Sequence, residues 1–287
     1  FLPQNELDIN TALSSLYLTD LDYIKNQINS ATYYSGYGWF GYLTEMVPGE
    51  GYMIRLSSPG TLIYPSQPAT KSSAIIKERE EVQFNPSDYE YNASITACVV
   101  ENDQVIGSDG DMLIAYINGQ IRGIVTGLVF EPNGKYLFPI MVHNNAGGDT
   151  IKFKYLNAQE DKLYECNEDI EFKSDMIVAD AIKPFKLTVS SKKNGNLVEN
   201  PPGVNMSCYP NPFTEKVSIE FNVPYDLQVI LAIYDSYGRI IKCLKNRREQ
   251  PGNMLVNWIP DGQPEGVYVV YLQIGDHITV KKLTLVR

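Results

Sequence analysis

Histidine, basic charge and long apolar runs are scarce in this sequence. Its 287 residues include two histidines, His143 and His277, so a catalytic histidine base would have to be one of them. No apolar run approaches the ~20 residues of a membrane helix, so no transmembrane segment is expected. The 24 basic residues are outnumbered by 34 acidic ones, and this balance disfavours nucleic acid or an anionic membrane surface as partner.

Cysteine is also sparse, and its spacing argues against a zinc site. The chain has four cysteines and none forms a close CxxC pair. Two states stay open from the sequence. In one, disulfides join Cys98 to Cys166 and Cys208 to Cys243; in the other the thiols are free, as the apolar surroundings of Cys98 would favour.

Short strand patterns separated by turn residues fill most of the chain. Apolar side chains alternate from Val217 to Val223, which is the period of a half-buried strand. Asn118-Gly119 lies between two apolar runs, and this pair is typical of a type I′ hairpin turn. The sequence therefore predicts an all-β protein of tandem small modules.

Composition divides these strands into three modules. The first is rich in glycine and aromatic residues and should open with a short helix from Ile9 to Leu18, capped by Asp8, with a second helical turn from Leu21 to Asn26. The middle module and the tail are predicted to be antiparallel β-sandwiches, immunoglobulin-like or jelly-roll. The expected boundaries are 1–65 for the first module, 66–83 for a linker, 84–189 for the middle module, 190–207 for a second linker and 208–287 for the tail.

Four motifs at the end of the chain carry a family resemblance. In this order, at the C-terminus, they resemble the type A C-terminal sorting domain of cargo secreted by the type IX system of Bacteroidota. The resemblance covers 208–287. The motif residues are Tyr209, Pro210, Asn211, Pro212 and Phe213, then Asp235, Gly238 and Arg239, then Gly266 and Tyr268, and finally Lys281 and Lys282.

The resemblance implies a tail that is read by secretion machinery and performs no chemistry. In that family an outer-membrane shuttle barrel receives the domain, and a cysteine-protease sortase often removes it while joining the cargo to surface lipopolysaccharide. The implied location is the cell surface or the medium, after signal-peptide-dependent export to the periplasm. Neither a cofactor nor a metal is implied.

The other two modules are similar to recurrent, uncharacterised elements of Bacteroidota surface proteins. Tyr37–Gly41 and Pro48–Tyr52 resemble a module found beside sorting tails. In that module a strand of the form GWNxIS precedes the segment equivalent to Phe1-Leu2-Pro3. That strand is absent here, so we expect the native polypeptide to begin before Phe1. Asn118–Gly123 and Lys183–Phe185 resemble the second element, which implies no activity.

An aromatic cluster in the first module has two interpretations. Flat rings suit the apolar faces of sugars, so the cluster could be a carbohydrate-stacking or adhesive platform. A module this short also needs its aromatic residues to build a core at all, and the packing interpretation therefore stands beside the binding one. The cluster comprises Tyr33, Tyr34, Tyr37, Trp39, Phe40 and Tyr52.

Other chemical signals are weak. Asp103, Asp109 and Asp111 share a glycine-containing loop that suits calcium, but they lack the spacing of a twelve-residue calcium loop, and a solvated acidic hairpin is the alternative. Thr150, in Asp-Thr-Ile, is a candidate for O-glycosylation. No sequence feature selects one carboxylate pair for catalysis. We therefore expect a non-catalytic chain that directs export and surface display, with the first two modules as a spacer or assembly unit.

Overall fold

Strands dominate the computed structural model, which confirms the all-β prediction. It describes residues 3, 5–65, 86–160, 162–189, 205–236, 239–275 and 277–287. The expected linker 66–83 and most of the linker 190–207 lie outside the described residues.

The first module opens with the predicted helix cap, but its helix is shorter than predicted. The Asp8 carboxylate accepts hydrogen bonds from the N–H groups of Asn10 and Thr11. The Ser14 hydroxyl then donates to the Thr11 carbonyl, a local bond that competes with continuation of the helix. The elements are β1 (Leu7–Asp8), α1 (Ile9–Ala12), β2 (Tyr23–Lys25), β3 (Ser30–Tyr34), β4 (Gly38–Gly41), β5 (Glu45–Met46) and β6 (Met53–Arg55).

The predicted helical turn from Leu21 to Asn26 is wrong, because that segment contains β2. This strand pairs with β3 on one side and β6 on the other, in a sheet of order β4-β3-β2-β6. The entry to the strand is set by Asp22, whose carboxylate accepts from the backbone N–H groups of Thr19 and Ser57. The contact with Ser57 joins positions 35 residues apart, and a local helical pattern cannot anticipate it.

The middle module is a two-sheet sandwich, preceded by a 3₁₀ turn at Pro86–Asp88. One sheet has the order β10-β9-β13-β14; the other has the order β11-β12-β7-β15, with β8 and β16 also paired to β7. Asn118 and Gly119 have φ values of 51° and 75°, which confirms the predicted hairpin between β9 and β10. The strands are β7 (Tyr91–Glu101), β8 (Gln104–Ile106), β9 (Met112–Ile117), β10 (Gln120–Thr126), β11 (Leu128–Phe130), β12 (Lys135–Asn144), β13 (Thr150–Asn157), β14 (Lys162–Glu171), β15 (Ile177–Val178) and β16 (Phe185–Thr188).

The tail is a second sandwich, with sheets of order β17-β18-β21 and β20-β19-β22-β23. The alternating side chains of β18 face its core, as the sequence pattern predicts. Its first strand starts at Met206, two residues before the expected boundary. The strands are β17 (Met206–Tyr209), β18 (Val217–Val223), β19 (Leu227–Asp235), β20 (Ile240–Glu249), β21 (Gly252–Trp258), β22 (Gly266–Ile274) and β23 (His277–Leu285).

The three modules pack against one another in series. The first module meets the middle one where Tyr34 and Phe40 pack on Phe130, in a cluster that includes the outward-facing Cys98 of β7. The middle module meets the tail through a separate apolar cluster between the β9 and β19 sheets. Alternate residues of β7 and β19 therefore face two different cores, and these strands are buried on both faces.

A buried histidine links the first two modules. His143, on β12, is 2% exposed, with Nε2 2.6 Å from the Gln27 carbonyl oxygen and Nδ1 3.2 Å from the Arg122 carbonyl oxygen. Burial lowers the pKa of its imidazole, and the nearby Lys25 ammonium acts in the same direction, although the two carbonyls oppose them. In the folded protein the ring is therefore harder to protonate than in the unfolded chain.

This lowered pKa predicts a loss of stability on mild acidification. Below about pH 6.5 the unfolded chain binds a proton that the folded chain resists, so the free energy of unfolding should fall by at most about 1.4 kcal/mol per pH unit. Urea unfolding at pH 7.5 and 5.5 measures the effect. His143→Gln should remove this pH dependence and His277→Gln should keep it. An unchanged slope in His143→Gln would contradict the assignment.

Candidate sorting surface of the tail

Motif residues that are far apart in the sequence meet at one end of the tail sandwich. Asp235 on β19 lies opposite Tyr268 on β22, and Tyr268 lies opposite Leu283 on β23. The segment 209–213 runs beside the end of β23. The sheet register thus sets the motifs of Asp235, Tyr268 and Lys282 side by side, and the contacts of 209–213 with β23 add the fourth.

The 209–213 segment is fastened to β23 by an asparagine side chain. Asn211 Nδ2 donates to the Lys282 carbonyl oxygen at 2.8 Å, and Asn211 Oδ1 accepts from the Thr284 N–H at 2.9 Å. The flanking Pro210 and Pro212 have no N–H to offer a strand edge, so the amide of Asn211 supplies the pairing groups in their place. Both X-Pro peptide bonds in the segment are cis.

Phe213 continues this edge and anchors it in the core. Its N–H donates to the Thr284 carbonyl at 2.9 Å, and its carbonyl accepts from the Val286 N–H at 2.9 Å. The ring is 1% exposed and lies 5.4 Å from the Trp258 ring, which meets Tyr268 edge-on at 5.2 Å. Burial raises the pKa of the Tyr268 phenol, whose hydroxyl donates to the Pro264 carbonyl. The motif residues Phe213 and Tyr268 therefore form one end of the tail's apolar core.

Asp235 closes the β19–β20 turn. Its carboxylate accepts from the Arg239 backbone N–H at 2.9 Å and from Arg239 Nε at 2.7 Å. The carboxylate is buried while the guanidinium is about half exposed. Gly238 lies outside the described residues. This pair therefore combines a buried carboxylate with a guanidinium that is about half exposed and borders the first module near Glu45 and Glu50.

The remaining motif residues differ in role. Gly266 has a φ of 148°, a backbone angle that disfavours other residues, although nothing lies near the position of a Cβ atom. The Lys282 side chain lies against Gly110 of the middle module. The exposed motif residues are Tyr209, Pro210, Asn211, Pro212, Arg239 and Gly266.

The rings of the aromatic cluster in the first module make several packing contacts. Tyr34 and Phe40 are buried against Phe130, and Tyr33 pairs with Trp39 across two strands at 5.4 Å. The Tyr52 hydroxyl accepts from the Val47 N–H and donates to Glu50. Tyr37 also meets Phe130 edge-on, at 5.2 Å, but remains 37% exposed.

The structure does not assemble the weak calcium candidate. In the part of the chain that it describes, no three acidic, histidine or cysteine side chains form a group suited to a metal ion. The buried Asp111 carboxylate instead accepts from Ser108 N, Ala158 N and the Tyr155 hydroxyl. Asp109 accepts from the Tyr136 hydroxyl, and Asp103 lies in the turn between β7 and β8.

Two other predicted features have clear positions. Thr150 begins β13 and is exposed, as a modified residue would need to be. Cys98, Cys166, Cys208 and Cys243 form no disulfide, so neither predicted pairing is present, and Cys98 is buried.

The structure also contains a cavity that the sequence did not indicate. It measures about 350 Å³ and lies between the first and middle modules. Tyr34 and Tyr37 line it from one side, and Phe130, Asp180 and Ile182 from the other. These residues are separated by up to 148 positions, so no local pattern could have identified the cavity.

With this geometry in place, comparison with known proteins identifies the tail. Residues 207–286 match the family model described as the secretion system C-terminal sorting domain. This confirms the resemblance to type IX cargo tails. A sorting domain is a non-catalytic export signal, so the tail implies contact with secretion machinery and delivery to the cell surface or beyond. No helix among the described residues is long and apolar enough to cross a membrane.

Comparisons over the whole chain add little. Dimeric latent PorU from Porphyromonas gingivalis is 14% identical with a TM-score of 0.25, over 90% of this chain and 26% of that one. A beta-glycosidase from Bacteroides vulgatus is 10% identical with a TM-score of 0.21, over 68% of this chain and 25% of that one. Three titin domains, I67–I69, give 10% identity and a TM-score of 0.18, over 69% and 66%.

This chain thus spans about a quarter of the length of the first two of those structures. TM-scores this low carry no argument about fold or function. No curated protein matches the chain.

The Asn211 contacts predict a measurable loss of stability. Asn211→Ala removes two hydrogen bonds to β23 and should lower the free energy of unfolding by about 1–2 kcal/mol. Chemical denaturation followed by tryptophan fluorescence in a Trp39→Phe background measures it, since the remaining indole, Trp258, packs on Phe213. Asn257→Ala is the control, because the Asn257 side chain accepts a hydrogen bond from the Ser218 hydroxyl on an exposed strand face and makes no contact with β23 among those described. Equal effects of the two substitutions would contradict the role assigned to Asn211.

Proposed function

We propose that this chain directs type IX export and cell-surface display of a larger secreted protein. The observation that carries the proposal is the sorting-domain match at 207–286, on a tail whose motif residues meet at one end of the sandwich. The partners proposed are the outer-membrane shuttle barrel and a sortase that joins the cargo to surface lipopolysaccharide. The path would begin with signal-peptide-dependent transfer to the periplasm.

The exposed motif residues are the proposed contact points for that machinery. Arg239 presents a half-exposed guanidinium held in place by Asp235, and such a fixed cation suits an acidic or carbonyl-rich partner surface. The 209–212 segment offers an exposed ring and two prolines beside it. Phe213, Asp235 and Tyr268 are proposed to support this surface from beneath.

The first two modules are proposed to act as a spacer or assembly unit. Buried polar contacts join the first module to the middle one. Lys25, for example, is buried and bonds to Asn92 and to Asp175 at 2.6 Å, across the junction. Such buried hydrogen bonds fix the orientation of one module relative to the other.

Export of a reporter tests this function. A reporter that is active in the periplasm would be placed ahead of residues 1–287 in a type IX-competent host, and extracellular reporter activity measured. The intact chain should deliver it outside, and removal of 207–287 should leave it in the periplasm. Arg239→Ala should reduce the secreted fraction several-fold.

Arg248→Ala is the matched control for Arg239→Ala. Arg248 is also an exposed tail arginine, paired with Asp226 at 2.6 Å, but it lies outside the motifs. Periplasmic retention of the intact fusion would sink the export proposal. Equal secretion by the two arginine variants would remove Arg239 from the recognition surface.

A second candidate, saccharide binding, is favoured by the cavity between the first and middle modules. Its lining includes the partly exposed Tyr37 and the buried Tyr34, whose hydroxyl accepts from the Ala181 N–H and retains its own proton to donate. Burial, with the carboxylates of Asp180 and Asp20, raises the pKa of Tyr34 to about 12. A ring face beside donors and carboxylate acceptors suits a hydroxyl-rich pyranose.

Saturation-transfer NMR tests this second candidate. Methyl glucoside, galactoside, mannoside and N-acetylglucosaminide would be titrated into the full chain. Tyr37→Ala and Asp180→Asn should each weaken binding about tenfold, equivalent to about 1.4 kcal/mol. Tyr33→Ala should bind normally, because Tyr33 pairs with Trp39 and does not line the cavity. If the native protein gives no transfer from any of the four, the saccharide candidate is lost.

A further inference from the structure

The tail carries a second apolar face that its own sandwich does not use. One set of side chains on β19, β22 and β23 faces the β18 sheet, and the alternate set faces away from it. In a free-standing sandwich the alternate set would meet water and would be polar. Here it is apolar and at most 4% exposed: Ile230, Ala232, Tyr234, Val269, Tyr271, Ile278 and Val280.

The middle module covers this face with an apolar surface of its own. The residues come from the outer side of the β9 sheet, opposite to the side that builds the middle module's core. All are buried, so neither surface is accessible while the two meet. They are Met112, Ile114, Ile121, Ile124, Leu156 and Leu163.

Polar contacts fix the edge of this apolar junction. The N–H and the hydroxyl of Thr126, in the middle module, both donate to the Ser236 carbonyl of the tail. The Tyr42 hydroxyl of the first module donates to the Thr126 carbonyl at 2.9 Å. A buried apolar centre with a hydrogen-bonded rim is the anatomy of a specific protein interface.

From this junction we infer that the tail is bound to the middle module by its own noncovalent interface, so that cutting the chain between them does not release it. The covalent connection raises the effective concentration of the two faces, but it supplies none of the contacts named here. Release would need a second event that separates the β9 and β19 sheets. The inference concerns the tail's attachment and does not depend on the export route.

A cleavable form of the full chain tests the inference. A recognition site for a sequence-specific protease would be inserted between Lys193 and Asn194, and the folded protein cut to completion. The products would be run on a sizing column at about 1 μM, a concentration at which a complex with a Kd well below micromolar stays bound. Native mass spectrometry should give the mass of both fragments together, and denaturing electrophoresis should show two bands.

Matched substitutions separate the interface from general stability. Ala232→Asp places a charge at the junction from the tail side, and Ile124→Asp does so from the middle-module side. Each should raise the free fraction of cut tail at least tenfold. Leu255→Asp adds the same charge on β21, where the side chain is 60% exposed, and should leave the fragments together.

Near-ultraviolet circular dichroism of the uncut variants checks that both sandwiches remain folded. If one interface variant unfolds, the variant on the opposite side decides the comparison. Separation of the unsubstituted fragments after cutting, each still folded, would overturn the inference. Retention that persists unchanged in both interface variants would overturn it as well, because the named junction would then not be the contact that holds the tail.

Discussion

The architecture depends on strands that are buried on both faces. Residues 229–235 of β19 are all buried, and β7 is buried from Asn92 to Val100. β19 is apolar on both faces, so exposing either face would leave a large apolar patch in water. The outer face of β7 combines the polar Asn92, Ser94 and Thr96 with Cys98 and Val100, and the first module covers part of it. Packing the modules in series covers both faces. One face of the β7 or β19 sheet packs in the core of its own module, and the other face packs against the neighbouring module.

The candidate sorting surface depends on the same packing. Its exposed residues are supported by buried ones. Cross-strand pairing and the hydrogen bonds of 209–213 to β23 hold these buried residues in place. The side chain of Lys282, itself a motif residue, extends from β23 to Gly110 of the middle module. The outer face of the β19 sheet is therefore covered by the middle module while the motif residues at the end of the sandwich remain exposed.

In the first module, neighbouring aromatic residues differ in burial because of small differences in position. Tyr34 and Phe40 are buried against Phe130 in the junction with the middle module. Tyr37 lies three residues after Tyr34 and keeps part of its ring exposed to water beside the cavity. Of the six aromatic residues, Tyr34 and Tyr37 line the cavity. Tyr33, Trp39 and Tyr52 lie elsewhere and are partly buried.

Local patterns were enough to determine the all-β class, the Asn118-Gly119 hairpin, the Asp8 cap and the tail motifs, because each depends on residues within a few positions of one another. They misplaced the helix end and read β2 as a helical turn, where contacts such as Asp22 with Ser57 decide the backbone. They also left the cysteine pairing open. Only the tertiary structure decided which faces of β7 and β19 meet, that Asp235 lies beside Tyr268, and that Phe130 and Asp180 enclose a cavity with Tyr37. The physical reason is that these contacts join positions brought together by sheet pairing and packing, which the spacing of side chains along one strand does not specify.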